Sequence, residues 1–154
     1  MRIAVFPGSF DPFTNGHLDL VQRILPLFDT VIIAIGINSK KQYYFDLESR
    51  IAALEAIFHD EPRVFIKQYS GLTTKFCKEV GASCIVRGLR NSSDFEFENA
   101  ISQFNRAVED GIETLFISTR PEFCHISSSI VREILMNNGN AKPFVPERSH
   151  KFLS

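Results

Sequence analysis

Arg2-Ile3-Ala4-Val5-Phe6 runs directly into Pro7-Gly8-Ser9-Phe10-Asp11-Pro12-Phe13-Thr14-Asn15-Gly16-His17, and this stretch decides the fold. The apolar run is too short for a buried helix and is cut off by Pro-Gly, so it reads as a strand over Arg2–Phe6. Beyond the turn, Leu18, Val21, Ile24 and Leu25 share one face of a helix over about Gly16–Leu25, closed by Pro26. A strand, a tight turn and a helix form the opening unit of an α/β domain.

The same alternation repeats along the chain. Thr30–Gly36, Arg63–Lys67, Ser83–Val86 and Glu113–Ser118 are short runs rich in Val, Ile or Phe and are predicted as strands. Between them, a helix is expected after Asp46, a good N-cap, and another from about Leu72 to Val80, stopped by Gly81. A long helix carries Phe97, Ile101, Phe104 and Val108 on one stripe, and a last one begins in Ser127-Ser128-Ser129 and ends at Gly139. Pro143 and Pro146 break the tail before a short final helix. The expectation is a single doubly wound, Rossmann-like α/β domain over residues 1–154, with a five-stranded parallel sheet flanked by helices. Ligands then belong on the loops beyond the strands' carboxyl ends.

Composition narrows the function classes. Seventeen Lys and Arg against 18 Asp and Glu give a net charge of −1, so no global field selects nucleic acid or an anionic membrane, and any anion site must be local. The 44% hydrophobic content is ordinary for a globular protein, and no apolar run approaches the ~20 residues of a membrane helix. The residues after Met1 meet Pro7-Gly8 too soon for a signal peptide. Three cysteines, Cys77, Cys84 and Cys124, fit neither a disulfide framework nor a zinc pattern, and a reducing, cytoplasmic compartment is expected.

The loops carry the chemistry. Two glycines and two prolines fix the first turn, Ser9 and Thr14 add small hydroxyls, and His17 stands at a helix start, where free N–H groups favour an anion. The plain alternative is that Thr14-Asn15 merely caps the helix and His17 is an exposed first-turn residue. The glycines match neither the dinucleotide fingerprint nor a P-loop. After the fourth strand come Arg87-Gly88-Leu89-Arg90, two guanidiniums suited to phosphate oxygens, or else two solvated loop arginines. Lys40-Lys41 after the second strand are equally readable as anion ligands or solvated charge. Ile126-Ser127-Ser128-Ser129, with Arg132 one turn on, supplies more hydroxyls than one cap needs. Asp94, Glu96 and Glu98 read as carboxylates favoured at a helix N-terminus. His59, His125 and His150 lack ligand partners at useful spacing, so no metal site of the protein's own is expected.

Taken together, Pro7–His17, Arg87-Gly88-Leu89-Arg90 followed by Asp94-Phe95-Glu96-Phe97-Glu98, and Ile126-Ser127-Ser128-Ser129 resemble the bacterial phosphopantetheine adenylyltransferases, over essentially the whole chain. That family belongs to the nucleotidyltransferases marked by a His/Thr-x-Gly-His loop and an Ile-Ser-Ser-Ser/Thr turn. Thr14 at the first motif position fits the phosphopantetheine branch, where the nicotinamide-mononucleotide and cytidylyl branches usually carry His. Arg132 is a mild departure, since this branch often has Lys there, and Ser9 replaces a Thr found in many relatives.

The resemblance implies transfer of the adenylyl group of ATP to 4'-phosphopantetheine, giving dephospho-coenzyme A and pyrophosphate, with Mg²⁺ carried by ATP. It implies that His17 contacts ATP phosphates and stabilises the transition state, and that Ser9 and Phe10 bind nucleotide. Gly88, Leu89, Arg90, Glu98 and the turn Phe123, Cys124, His125, Ile126, Ser127, Ser128 and Ser129 would bind ATP. Lys41, Thr73 and Arg87, with Ser9, would hold phosphopantetheine, and Lys40 could share the role of Lys41. The resemblance also implies a homohexamer and coenzyme A as a feedback ligand. A sister nucleotidyltransferase with another acceptor and a non-catalytic nucleotide sensor are the competing readings.

Overall fold

Parallel pairing accounts for every strand of the computed structural model, which describes residues 1–154. The strands are β1 (Ile3–Gly8), β2 (Thr30–Ile37), β3 (Val64–Ser70), β4 (Cys84–Leu89) and β5 (Glu113–Ser118), in the order β3-β2-β1-β4-β5. The helices are α1 (Asn15–Ile24), α2 (Leu47–Phe58), α3 (Thr73–Glu79), α4 (Ser92–Val108) and α5 (Ser128–Met136). Strand order reverses between β1 and β4, the place where a doubly wound sheet opens a crevice.

Four strands run further than the sequence predicts, β2 to Ile37, β3 to Ser70, β1 to Gly8 and β4 to Leu89, and the reason for the last two defines the cleft. Pro7 and Gly8 belong to β1, pairing with Ala34 and Ile35 of β2, and Arg87, Gly88 and Leu89 belong to β4, pairing with β5. Turn-forming residues are tolerated there because β1 and β4 pair only at Ala4–Cys84 and Val5–Ile85, then diverge. Pro7, which has no N–H to give, lies beyond that pairing. Its carbonyl instead accepts from Arg87 Nη1 at 2.6 Å, so a side chain spans the gap where the ladder stops. Arg87 therefore stands within β4 rather than after it.

Alternation along β1 and β2 sends Ala4, Phe6, Val31, Ile33 and Ile35 to one face, packed on α1 and α2, and Val5, Ile32 and Ala34 to the other, packed on Phe76 and Cys77 of α3. Thr14, Asp46, Asn91 and Ser127 cap α1, α2, α4 and α5 with side-chain oxygens. α3 stops before Gly81, whose φ of 72° is left-handed, as its sequence predicts. After α5 the left-handed residue is Asn138, not Gly139. The last segment is a 3-10 turn, Glu147–Phe152, laid on α2 and tied by Arg148 to Asp60.

The apolar stripe of α4 forms as predicted but faces outward. Phe97, Ile101, Phe104 and Val108 are all exposed, Phe97 by 67%, and the only residue α4 buries is Glu98. No helix is long and apolar enough to cross a membrane.

Candidate active site

The divergence of β1 from β4 leaves two cavities of roughly 350 Å³ each that share a wall. Pro7, Gly8, Ser9, Lys41, Arg87 and Glu98 line both. One lobe extends past β2 and β3 to Tyr43, Tyr69 and Thr73 and is bounded by Ile101, Ser102 and Asn105 of α4. The other runs along α1 and the start of α5, lined by Phe10, His17, Gly88, Arg90, Phe123 and Ile126-Ser127-Ser128-Ser129, with Arg132 beside them. Thr73 thus falls in the first lobe, where its hydroxyl lies 2.8 Å from that of Tyr69.

Local sequence sets His17 in place. Thr14 caps α1 by accepting from the His17 N–H, while the Thr14 N–H donates to His17 Nδ1 at 3.0 Å, a capping box with imidazole in the position usual for Glu. Phe6, Phe10 and Phe13 surround the ring with centroids 5.2–5.9 Å away. Burial first, and then the charges of Arg87 and Arg90, push the imidazole pKa down to about 3. Because Nδ1 accepts, the ring proton sits on Nε2. His17 is therefore a neutral N–H donor fixed in the cavity wall.

The arginines are paired. Glu98 accepts from Arg87 Nε at 2.9 Å and Nη2 at 2.6 Å, a bidentate fork that presents the guanidinium at the wall between the lobes. Glu98 thus touches the cleft as Arg87's partner, a role its reading as a helix-start carboxylate did not suggest. Arg90 is held by Asp94 through Nε at 3.1 Å. Gly88 lets α1 come close, since a Cβ there would lie 2.8 Å from Leu20 Cδ1. Lys41, and not Lys40, lines the cleft, with Nζ 3.1 Å from Ser9 Oγ.

The three serines have separate tasks. Ser127 caps α5, Ser128 Oγ donates to Pro12 O at 2.8 Å, and Ser129 Oγ accepts from Arg132 Nη2 at 3.1 Å. Arg132 also donates to Asp11 O at 2.8 Å, so α5 grips the β1–α1 loop from one side. Leu89, Cys124 and His125 line neither lobe. Cys124 Sγ lies against the Arg90 and Thr119 carbonyls, and the His125 ring meets Phe144 edge-on. All three cysteines are free, and burial pushes the Cys77 thiol up to about 12, which makes it inert as a nucleophile.

No group of three or more His, Cys, Asp or Glu side chains is arranged to hold a metal. The carboxylates nearest the cleft are committed elsewhere, Asp11 to two backbone N–H groups and Glu98 and Asp94 to arginines. This donor set does not build a cation cage. Of two buried residues in the cleft's support, Asp11 falls in the Pro7–His17 stretch with no role of its own read there, and Arg50 has no marker in the sequence, because an Arg inside an amphipathic helix reads as solvated.

Comparison with known proteins agrees with this architecture. Residues 5–134 match the cytidylyltransferase-like family model. Proteins named phosphopantetheine adenylyltransferase are similar along nearly the full chain: one from Flavobacterium psychrophilum is 52% identical over 96% of this chain and 97% of its own. One from Cytophaga hutchinsonii is 50% identical over 94% and 97%, and one from Geotalea daltonii is 42% identical over 99% and 95%. A crystal structure from Vibrio parahaemolyticus, provisionally described as a nicotinate-nucleotide adenylyltransferase, superposes over 100% of both chains with a TM-score of 0.75 at 21% identity, which speaks for the fold alone. The chain belongs to the phosphopantetheine adenylyltransferase family, a branch of the cytidylyltransferase-like nucleotidyltransferases.

Proposed function

We propose that residues 1–154 work as one nucleotidyltransferase domain that transfers the adenylyl group of ATP to 4'-phosphopantetheine, giving 3'-dephospho-coenzyme A and pyrophosphate. The observation that carries this reading is the shared wall: Lys41 and Arg87 line both lobes of the cleft, where a phosphate held in one lobe meets a phosphate held in the other. ATP fits the lobe of His17, Arg90 and the α5 start, whose first-turn N–H groups suit phosphate oxygens. Phosphopantetheine fits the lobe of Tyr43, Tyr69 and Thr73, whose length beyond the cations suits a chain trailing from a phosphate.

A phosphate oxygen of the acceptor attacks the α-phosphorus of ATP in line, and the bond to the departing pyrophosphate breaks. No protein nucleophile is needed, only alignment and compensation of gathering charge. Lys41 and Arg87 hold the attacking phosphate, and Glu98 holds Arg87. His17 donates from Nε2 to the α-phosphoryl oxygens, as a neutral donor that needs no prior protonation. Mg²⁺ would be carried by ATP and would offset phosphate charge, since no carboxylate cluster of the chain is arranged to hold it.

Coenzyme A, which shares the phosphopantetheine arm, would compete for the acceptor lobe. A homohexamer would give the exposed stripe of α4 a partner, and Phe104→Asp is expected to lower the mass measured by sedimentation. The free cysteines fit a reducing cytoplasm.

An acceptor panel tests the reading. Pyrophosphate release from ATP is expected with phosphopantetheine and not with nicotinamide mononucleotide or glycerol phosphate. Release only with one of the latter would identify a sister enzyme, and ATP binding without release for any acceptor would identify a sensor.

A further inference from the structure

Two buried charges take no part in the proposed reaction. Asp11 and Arg50 are 4% and 5% exposed, and each takes partners from the other's loop. Asp11, on the β1–α1 loop, accepts the Tyr44 and Phe45 N–H groups of the β2–α2 loop, both at 2.8 Å. Arg50, in the first turn of α2, donates back across the same gap from Nη1 to Ser9 O at 2.8 Å. Its Nε is shared between the Phe45 and Asp46 carbonyls at 3.2 and 3.4 Å. The two side chains close a reciprocal clasp between the loops.

Lys41 rides on this clasp. The Arg50 guanidinium lies 4.1 Å from the centre of the Tyr43 ring, and Lys41 Nζ lies 5.4 Å from the same ring. Lys41 Nζ also meets the hydroxyl of Ser9, whose carbonyl Arg50 holds. Between the two clasp points Phe10 has a φ of 48°, a left-handed conformation that costs a bulky residue roughly 1–3 kcal/mol and persists only where its surroundings fix it. A guanidinium buried among carbonyls without a carboxylate is a weak source of stability. Placement explains its reach better than stability does.

We infer that Asp11 and Arg50 are positioning residues that hold the Lys41 ammonium over Ser9 at the wall between the two lobes. This rests on the reading of Lys41 as a ligand of the acceptor phosphate. When the clasp is lost, Lys41, exposed as it is, loses the Tyr43 ring and the Ser9 hydroxyl that aim it and the acceptor loses a preorganised charge, while the Thr14 capping box still holds His17.

A double-mutant cycle tests it. Lys41→Ala and Arg50→Met are each expected to raise the KM for phosphopantetheine about tenfold, and the double variant also about tenfold rather than a hundredfold, because groups acting through one another are not additive. A hundredfold rise in the double variant, or no rise with Arg50→Met alone, overturns the proposal. No change with Lys41→Ala removes the acceptor role of Lys41 itself, and the clasp proposal with it. Arg50→Lys, which keeps the charge and lacks the fork, and the near-isosteric Asp11→Asn run through the same cycle. If Arg50→Met does not fold, a non-additive rise in KM with these two variants supports the clasp, and an additive rise or none overturns it. Arg50→Lys is expected not to restore KM.

Discussion

The His17 ring and the wall between the lobes are equipped for negative charge in opposite ways. At the wall, Lys41 and Arg87 bring formal charge, and Arg87 needs Glu98 to hold it in place. In the lobe along α1, where Arg90 also stands, His17 brings none: its ring is walled by Phe6, Phe10 and Phe13 and fixed by a backbone N–H on Nδ1. Lys41 and Arg87 would draw the attacking phosphate in and align it, whereas a fixed neutral donor would add a hydrogen bond at the α-phosphoryl oxygens where charge gathers. Burial first, and then the cations near His17, keep it neutral.

Removing the donor is expected to cost most. His17→Ala should fold and lose on the order of a hundredfold or more in kcat, with a smaller change in either KM. Turnover within a few-fold of the native rate would erase the distinction between the two regions. Arg87→Ala should instead raise the KM for phosphopantetheine, by about tenfold or more, and lower stability as well, because Glu98 is left buried without its partner. Arg87→Ala with Glu98→Gln separates the two effects: denaturant midpoints should recover and KM should not.

Stability against pH sharpens the comparison further. The folded chain resists protonating His17 down to about pH 3, while the unfolded chain takes that proton near 6.5. The His17 contribution to stability is therefore whole above pH 6.5 and is lost as pH falls below it, by at most about 1.4 kcal/mol per pH unit. Urea unfolding at pH 7.5 and 5.5 should show a decline in the native chain that is reduced in His17→Ala; equal declines would mean a solvated ring. The smallest effect belongs to Gly88→Ala, about 1 kcal/mol or a little more, because the contacted Leu20 methyl can partly move aside.

Much of this arrangement was legible in the sequence, for physical reasons that also mark where legibility stopped. Short apolar runs located the five strands, and caps, apolar stripes and a glycine stop located the five α-helices, because all are local signals. Pro7-Gly8 and Arg87-Gly88-Leu89 looked like turns and are strand, because the signal for them lies in the parting of β1 from β4, a tertiary event. His17, Arg87 and the serine turn stood out by their places at helix starts and strand ends. Asp11 and Arg50 did not, since a side chain that binds a distant backbone leaves no spacing pattern. The α4 stripe was legible as a stripe, but its outward face was not, because amphipathicity alone does not say which side is covered.

The most direct test of the neutral-donor account is a ¹⁵N NMR titration of the His17 ring in the native chain from pH 8 to pH 5. A protonated Nε2 and an unprotonated Nδ1, unchanged across the range, is the predicted result. A ring that titrates between pH 6 and 7, or that carries its proton on Nδ1, would contradict it.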